Sequence, residues 1–133
     1  MTIRYDGQVA IVTGAGNGLG RSHALALAER GAKVVVNDLG GAVDGSGSSS
    51  DAALETVRLI EQAGGEAISN GANVANLSQV EAMVAQAVEK WGRVDILVNN
   101  AGILRDKSFV KMTMDDFQLV VDVHLIGSAN CTK

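Results

Sequence analysis

The fold is decided by residues 8–20, which read QVAIVTGAGNGLG. The stretch begins as an apolar run rich in β-branched residues, which predicts a buried strand. Alternating glycines follow, and a helical pattern starts at Leu19. Glycine allows a close approach to the backbone, and a helix N-terminus offers unpaired N–H groups and the positive end of the helix dipole. The stretch therefore predicts a strand, a turn and a helix that together cradle a phosphate group.

Strand-like and helix-like patterns alternate along the rest of the chain. Strands are predicted over residues 8–13, 33–37, 66–69 and 94–99, and helices over 19–30, 51–63, from Asn76 or Ser78 to 91, and from about Thr113 to 133. The apolar stripes that begin at Leu19 and at Val80 are expected to face the core. Residues 40–50, rich in glycine and serine, are expected to form a flexible surface loop. The pattern predicts an α/β fold: a Rossmann-like doubly wound parallel sheet in three α/β/α layers, with strand order 3-2-1-4.

Composition excludes several classes of function. The 133 residues are 47% hydrophobic, 20% charged and 3% aromatic, which suits one globular domain. A net charge of −4 and a pI of about 5.0 argue against a nucleic-acid or anionic-membrane surface. One cysteine, Cys131, and two histidines do not suggest a metal site. Without a signal peptide or a membrane-length apolar run, we expect a cytoplasmic protein with no metal, nucleic-acid or membrane partner.

An acidic residue, Asp38, closes the second predicted strand, about 20 residues beyond the glycine turn. A carboxylate there can accept hydrogen bonds from the adenosine ribose of a bound dinucleotide; the alternative is an Asx-turn residue that ends the strand. Its neighbours Asn37, Leu39 and Gly40 carry no positive charge that would offset its repulsion of a 2′-phosphate. We therefore expect the cofactor to be NAD rather than NADP.

Three motifs together resemble the short-chain dehydrogenase/reductase family. They are Thr13 with the spacing Gly14-x-x-x-Gly18-x-Gly20, Asn73-Val74 after the third strand, and Asn99-Asn100-Ala101-Gly102 after the fourth. The resemblance implies an NAD site in which the diphosphate lies on the glycine turn, formed by Gly14, Asn17, Gly18, Leu19 and Gly20. The adenine would lie near Asn73 and Val74. The remainder of the cofactor site would be lined by Asn100, Ala101 and Gly102. Asn100 would face the nicotinamide-side ribose. The family usually has aspartate at position 73, and asparagine keeps the hydrogen bonding without the charge.

A closer resemblance is carried by residues 37–41, 99–109 and 123–128. These are similar to the (3R)-hydroxyacyl-CoA dehydrogenase units of the peroxisomal type 2 multifunctional enzymes and their bacterial relatives. The resemblance implies reversible oxidation of a (3R)-3-hydroxyacyl-CoA in fatty-acid breakdown, an acyl-CoA substrate and a homo-oligomeric parent enzyme. His124 stands where most of the family has an asparagine that holds a water of the proton relay. It is either a relay residue or simply a hydrogen-bonded histidine on a helix face.

The family's catalytic serine and its Tyr-x-x-x-Lys motif have no counterpart in the sequence. The only tyrosine, Tyr5, precedes the first strand and is followed at the fourth place by Val9. Either the chain is the N-terminal part of a longer dehydrogenase, truncated before the catalytic motif, or it is a non-catalytic NAD-binding module. The apolar fourth strand favours the first reading, because an apolar strand left at a sheet edge invites aggregation. A dehydrogenase of the same fold for 3-oxoacyl or steroid substrates is a further alternative.

Overall fold

A computed structural model describes residues 3–40 and 51–133. Its strands are β1 (Val9–Val12), β2 (Lys33–Asn37), β3 (Ala67–Asn70) and β4 (Ile96–Val98). Its α-helices are α1 (Gly18–Glu29), α2 (Asp51–Gln62), α3 (Leu77–Trp91), α4 (Met114–Val121) and α5 (Gly127–Thr132). The strands pair in parallel in the order β3-β2-β1-β4, so the predicted order is confirmed. Most of the loop predicted over residues 40–50 lies outside the described residues.

The alternation of side chains along the strands divides the core into two layers. Ala10 and Val12 of β1 face the same side as Val34 and Val36 of β2, where α1 and α2 pack. The residues between them, including Ile11 and Val35, face the opposite side and pack against α3. Because both faces of the sheet are covered by helices, both faces must be apolar, which explains the continuous valine runs. The three-layer α/β/α architecture is confirmed.

The first residue of β1 is held by the acidic side chain of the residue that precedes β4. The Asp95 carboxylate accepts the Val9 N–H at 2.9 Å and pairs with Arg93 at 2.6 Å. The Arg93 guanidinium and the Val9 N–H hold the pKa of Asp95 below its ordinary value. This contact holds β1 at its N-terminal end. The glycine turn follows the C-terminal end of the same strand.

The apolar stripe of α1 differs from the one predicted. Leu19 is 73% exposed, whereas Gly20 and Ala24 are buried against the sheet. Neighbouring residues of a helix point about 100° apart, so a helix that packs through positions 20 and 24 turns position 19 toward solvent. The expectation that Leu19 faces the core was therefore wrong. The expectation rested on residue type alone. The tight packing of Gly20 against the glycine turn determines which side of α1 faces the sheet.

The last predicted helix is interrupted. Its N-cap is Thr113 as predicted, because the Thr113 hydroxyl accepts the Asp116 N–H at 3.0 Å. A π-helical turn over Asp122–Ile126 separates α4 from α5, and it contains His124. A short 3₁₀ turn over Phe109–Lys111 precedes the helix. Neither turn was predicted, because apolar periodicity over so short a span does not distinguish a 3₁₀ or π-helical turn from an α-helical one.

Candidate functional site

A cleft of about 490 Å³ lies at the carboxyl edge of the parallel sheet. The loops that follow all four strands line it, together with residues from α4 and the π-helical turn. The central strand β1 has β2 on one side and β4 on the other. The order of the strands therefore reverses at β1, because the chain builds the sheet in one direction to β3 and then returns to add β4 on the other side. Open α/β sheets bind their ligands at such a switch point. The cleft is therefore the candidate functional site.

The glycine turn after β1 is built for close approach of backbone atoms. Gly14 has φ +64°, and a Cβ on it would lie 2.9 Å from the Cα of Ala101. A Cβ on Gly20 would overlap the carbonyl oxygen of Gly14. Gly18, at φ +57°, differs, because a Cβ there would meet no atom within 4 Å. Two of the glycines therefore pack the turn against its neighbours, and the third leaves open space on the cleft side.

Among the residues that the structure describes, none caps the N-terminus of α1 with its side chain. Asn17 occupies the N-cap position but makes no capping hydrogen bond, and the first turn contains no acidic residue. The caps of α3 and α4 are complete, because Asn76 accepts the Gln79 N–H and Thr113 caps α4. The first N–H groups of any helix have no acceptor within the helix. At α1 they and the positive end of the dipole border the cleft, which makes this end a site for an anion.

Asp38 connects two of the loops that line the cleft. One carboxylate oxygen accepts the Gly16 N–H at 2.8 Å, and the other accepts the Gly40 N–H at 2.7 Å. A Cβ on Gly16 would overlap the carboxylate, so glycine at this position allows the contact. The bond to Gly40 is the Asx-turn geometry considered from the sequence. A carboxylate has about four lone-pair sites, so about two are left for a ligand. Both interpretations of Asp38 are thus compatible with the structure.

The segment after β4 is held to the glycine turn by a buried hydroxyl. Thr13 Oγ1 accepts the N–H groups of Asn100 and Ala101 at 3.1 and 3.0 Å. The Asn100 side-chain amide donates to the Gly14 carbonyl at 3.1 Å. The two loops therefore form one wall of the cleft. The motif that contains Thr13 does not predict this role. Its position as a polar residue directly after a buried strand could have indicated it.

The family model described as short chain dehydrogenase matches residues 8–133. The chain belongs to the short chain dehydrogenase family. The doubly wound sheet, the glycine turn and the segment after β4 are the parts of the family fold that the described residues provide.

Similar proteins support this assignment. Peroxisomal multifunctional enzyme type 2 of Drosophila melanogaster is 57% identical over 98% of this chain, which spans 21% of that protein. Peroxisomal hydratase-dehydrogenase-epimerase of Saccharomyces cerevisiae is 53% identical over 98% of this chain, which spans 14% of it. The crystal structure of a short chain dehydrogenase from Mycobacterium paratuberculosis bound to NAD superposes with a TM-score of 0.88 at 33% identity, covering 96% of this chain and 48% of that one. The chain thus spans less than half the length of each.

Nine of the eleven residues predicted at the dehydrogenase cofactor site line the cleft. They are Gly14, Asn17, Gly18, Asp38, Asn73, Val74, Asn100, Ala101 and Gly102. Leu19 and Gly20 do not line it, because the Leu19 side chain is exposed and Gly20 is buried behind Gly14. Both residues lie in the first turn of α1, where their backbone N–H groups belong to the helix N-terminus.

His124 lies behind one wall of the cleft. Its Nε2 is 3.1 Å from both the N and the O of Ile103. A Cβ on Gly102 would lie 2.6 Å from the imidazole, so glycine there leaves room for the ring. His124 does not line the cleft itself. The structure therefore shows a histidine that holds the segment after β4, and its role in a proton relay stays a prediction.

Several residues that line the cleft were not predicted from the sequence. Asn37 is buried at the end of β2, where its amide donates to the Ala72 carbonyl and to Asn70 Oδ1, both at 3.1 Å. A polar residue that ends a valine strand is a signal that could have been used. The remaining residues are Leu39, Gly40, Ala72, Ala75, Ile103, Leu119, Asp122 and Val123. Those of α4 and the π-helical turn are far from the glycine turn in sequence, so no local pattern identifies them.

The charges at the cleft restrict its ligand. Among the described residues that line it, Asp38 and Asp122 are acidic and none is a lysine or an arginine. The donors left for an anionic ligand are therefore neutral, namely backbone N–H groups and asparagine amides, and a second phosphate near Asp38 would be repelled. The described part of the chain contains no cluster of histidine, cysteine and acidic residues able to hold a metal. No helix described is both long enough and apolar enough to cross a membrane.

Proposed function

We propose that this chain binds NAD in the cleft and serves as the cofactor-binding part of an oxidoreductase that acts on a secondary alcohol. The observation that carries the proposal is the uncapped N-terminus of α1, next to the open backbone of Gly18. The anion that satisfies these N–H groups would be the cofactor diphosphate. The residues present thus fit the group that the family uses.

The remaining contacts follow from the order of the strands along the cleft. Asp38, at the end of β2, would accept hydrogen bonds from the adenosine ribose. Asn73 and Val74, after neighbouring β3, would surround the adenine. Asn100, after β4 on the other side of the glycine turn, would face the nicotinamide-side ribose. A dinucleotide would therefore lie across the switch point, with its diphosphate over α1.

NAD is proposed over NADP on the charge of the cleft. A 2′-phosphate would lie close to the Asp38 carboxylate, with no lysine or arginine among the described lining residues to compensate it. Like charges in such a site oppose binding. The NAD in the structure of the M. paratuberculosis relative is consistent with the same choice.

NAD would supply the hydride acceptor when bound. Proton transfer requires another group, and Tyr5 is too far away to provide it. The Tyr5 N–H donates to the Arg30 carbonyl at 2.8 Å, just beyond the C-terminus of α1, whereas the cleft is at the N-terminus of that helix. We propose that the serine, tyrosine and lysine of the reaction belong to a part of the protein other than these 133 residues, since the chain spans about half of the solved relative.

The proposed substrate is a (3R)-3-hydroxyacyl-CoA. Support comes from the high identity to proteins named multifunctional enzyme type 2 and hydratase-dehydrogenase-epimerase. A 3-oxoacyl or steroid dehydrogenase would use the same fold. A non-catalytic NAD-binding module is the candidate from another class, and the lack of a tyrosine near the cleft favours it.

The parent enzyme is proposed to be a homo-oligomer. The cytoplasmic location stays a prediction, and both multifunctional relatives are named peroxisomal.

Two measurements test the proposal. Calorimetric titration of the chain with NADH and NADPH should give saturable binding of NADH and much weaker binding of NADPH. The full-length protein should form NADH from NAD with a (3R)-3-hydroxyacyl-CoA but not with its 3S enantiomer, which serves as the matched control. Activity only with a hydroxysteroid or with an acyl-carrier-protein thioester would reassign the substrate. NADH binding without any turnover would support the non-catalytic module.

A further inference from the structure

The last helix contacts one wall of the cleft from a distant part of the chain. Asn130 of α5 donates its side-chain N–H to the Val74 carbonyl at 2.9 Å, across 56 residues of sequence. Gly127, at the start of α5, is buried, and a Cβ on it would lie 2.6 Å from Cγ2 of Val74. Val74 itself is only 6% exposed. One residue of the loop after β3 is therefore held by both a hydrogen bond and close packing.

Two hydrogen bonds of the neighbouring Asn73 are local. The Asn73 N–H donates to Gln79 at 2.8 Å, and the Asn73 side-chain oxygen accepts the Ala75 N–H at 2.9 Å. These bonds shape the turn that leads into α3, but they do not fix its position relative to the rest of the cleft. Two long-range bonds do so. The Asn37 amide ties the start of the loop to β2 through the Ala72 carbonyl. The Asn130 amide ties Val74 to α5, which continues the helical segment whose residues Asp122 and Val123 also line the cleft.

We propose that Asn130 is a positioning residue for the adenine half of the cofactor. It acts through Val74: the bond fixes the backbone of the loop that borders the adenine end of the cleft, and Gly127 lets α5 approach closely enough to make it. Without the amide donor, a partly buried carbonyl loses its partner, and the loop can shift at Val74 although its start stays bonded to Asn37. The inference rests on the proposed binding of NAD.

The test compares ligands that occupy different ends of the cleft. NADH is titrated into the chain, and 5′-AMP and nicotinamide mononucleotide are then used to displace it. In Asn130→Ala, the loss of one hydrogen bond should weaken NADH and 5′-AMP about fivefold and leave nicotinamide mononucleotide unchanged. Asn130→Asp has the same size and places an oxygen against the Val74 carbonyl, so its loss should be at least as large. This second variant decides the question if Asn130→Ala does not fold.

A neighbouring substitution provides the control. Thr132→Val removes a hydroxyl of α5 that accepts from Asn99 at 3.1 Å and leaves the bond to Val74 intact. It should not change the affinity for any of the three ligands. Equal weakening of 5′-AMP and nicotinamide mononucleotide in the Asn130 variants, or no change in 5′-AMP, would overturn the inference and leave the proposed function standing. Failure of the unmodified chain to bind NADH would overturn both.

Discussion

Replacing Asp38 by alanine should weaken NAD binding and abolish the discrimination against NADP. Each oxygen of the carboxylate already accepts one backbone N–H, from Gly16 and from Gly40. About two lone-pair sites remain for the ribose hydroxyls. A hydrogen bond to a charged acceptor contributes about 1.5–3 kcal/mol, so the loss of one such bond weakens NAD about ten- to a hundredfold.

The same substitution also loosens the two loops, and the choice of assay separates the two effects. Loop damage weakens NAD and NADP alike, whereas loss of the ribose bonds weakens only NAD, and loss of the charge favours NADP. The informative quantity is therefore the ratio of the two dissociation constants, measured by calorimetry. Asp106→Ala, which removes an exposed carboxylate outside the cleft, is the matched control and should leave the ratio unchanged. An equal loss of affinity for both cofactors would refute the reasoning. It would show that Asp38 only connects the two loops and does not contact the cofactor.

Three further predictions concern stability. Gly20→Ala should cost about 2–4 kcal/mol in urea unfolding, since its Cβ would overlap the Gly14 carbonyl, whereas Gly71→Ala, with open space around it, should cost under about 0.5 kcal/mol. Thr13→Val keeps the side-chain shape but leaves two N–H groups without an acceptor, so we expect a loss of about 2–4 kcal/mol in the same assay. The pKa of Asp95 is lowered by folding, so its contribution is present above the unfolded value of about 3.9 and is lost as the pH falls through the lower folded value. Thermal unfolding between about pH 2 and 7 should therefore show a smaller acid loss of stability for Asp95→Asn than for the unmodified chain.

The sheet could be predicted because its sequence signals are local and redundant. The valine run of β2 is apolar whichever face it presents, so the strand is evident, and its bounds were predicted to the residue. The cap at Thr113 and the end of α3 at Gly92 follow from residue type in the same way. The exposure of the Leu19 side chain was not predicted, because it depends on the packing of Gly20 against Gly14, which apolar periodicity does not reveal.

Half of the candidate site followed from the sequence, and the division has a physical cause. The glycine turn and Asp38 lie directly at strand ends, and parallel strands bring their carboxyl ends to one edge. The contributions of Thr13, Asn130 and the π-helical turn depend on bonds between segments more than 20 residues apart. The position of one residue can suggest that it has a role, but one sequence does not identify its partner, because the partner alone resembles an ordinary polar residue of a helix or a strand.

The central claim is that the N–H groups at the start of α1 hold the diphosphate of a dinucleotide. A titration of the isotope-labelled 13.7 kDa chain with NADH, followed by amide resonances in NMR, tests it most directly. The account predicts that the amides of Gly18, Leu19 and Gly20 shift in a saturable way, together with those of the loop after β3. Binding of NADH that leaves these three amides unmoved, or no binding at all, would contradict it.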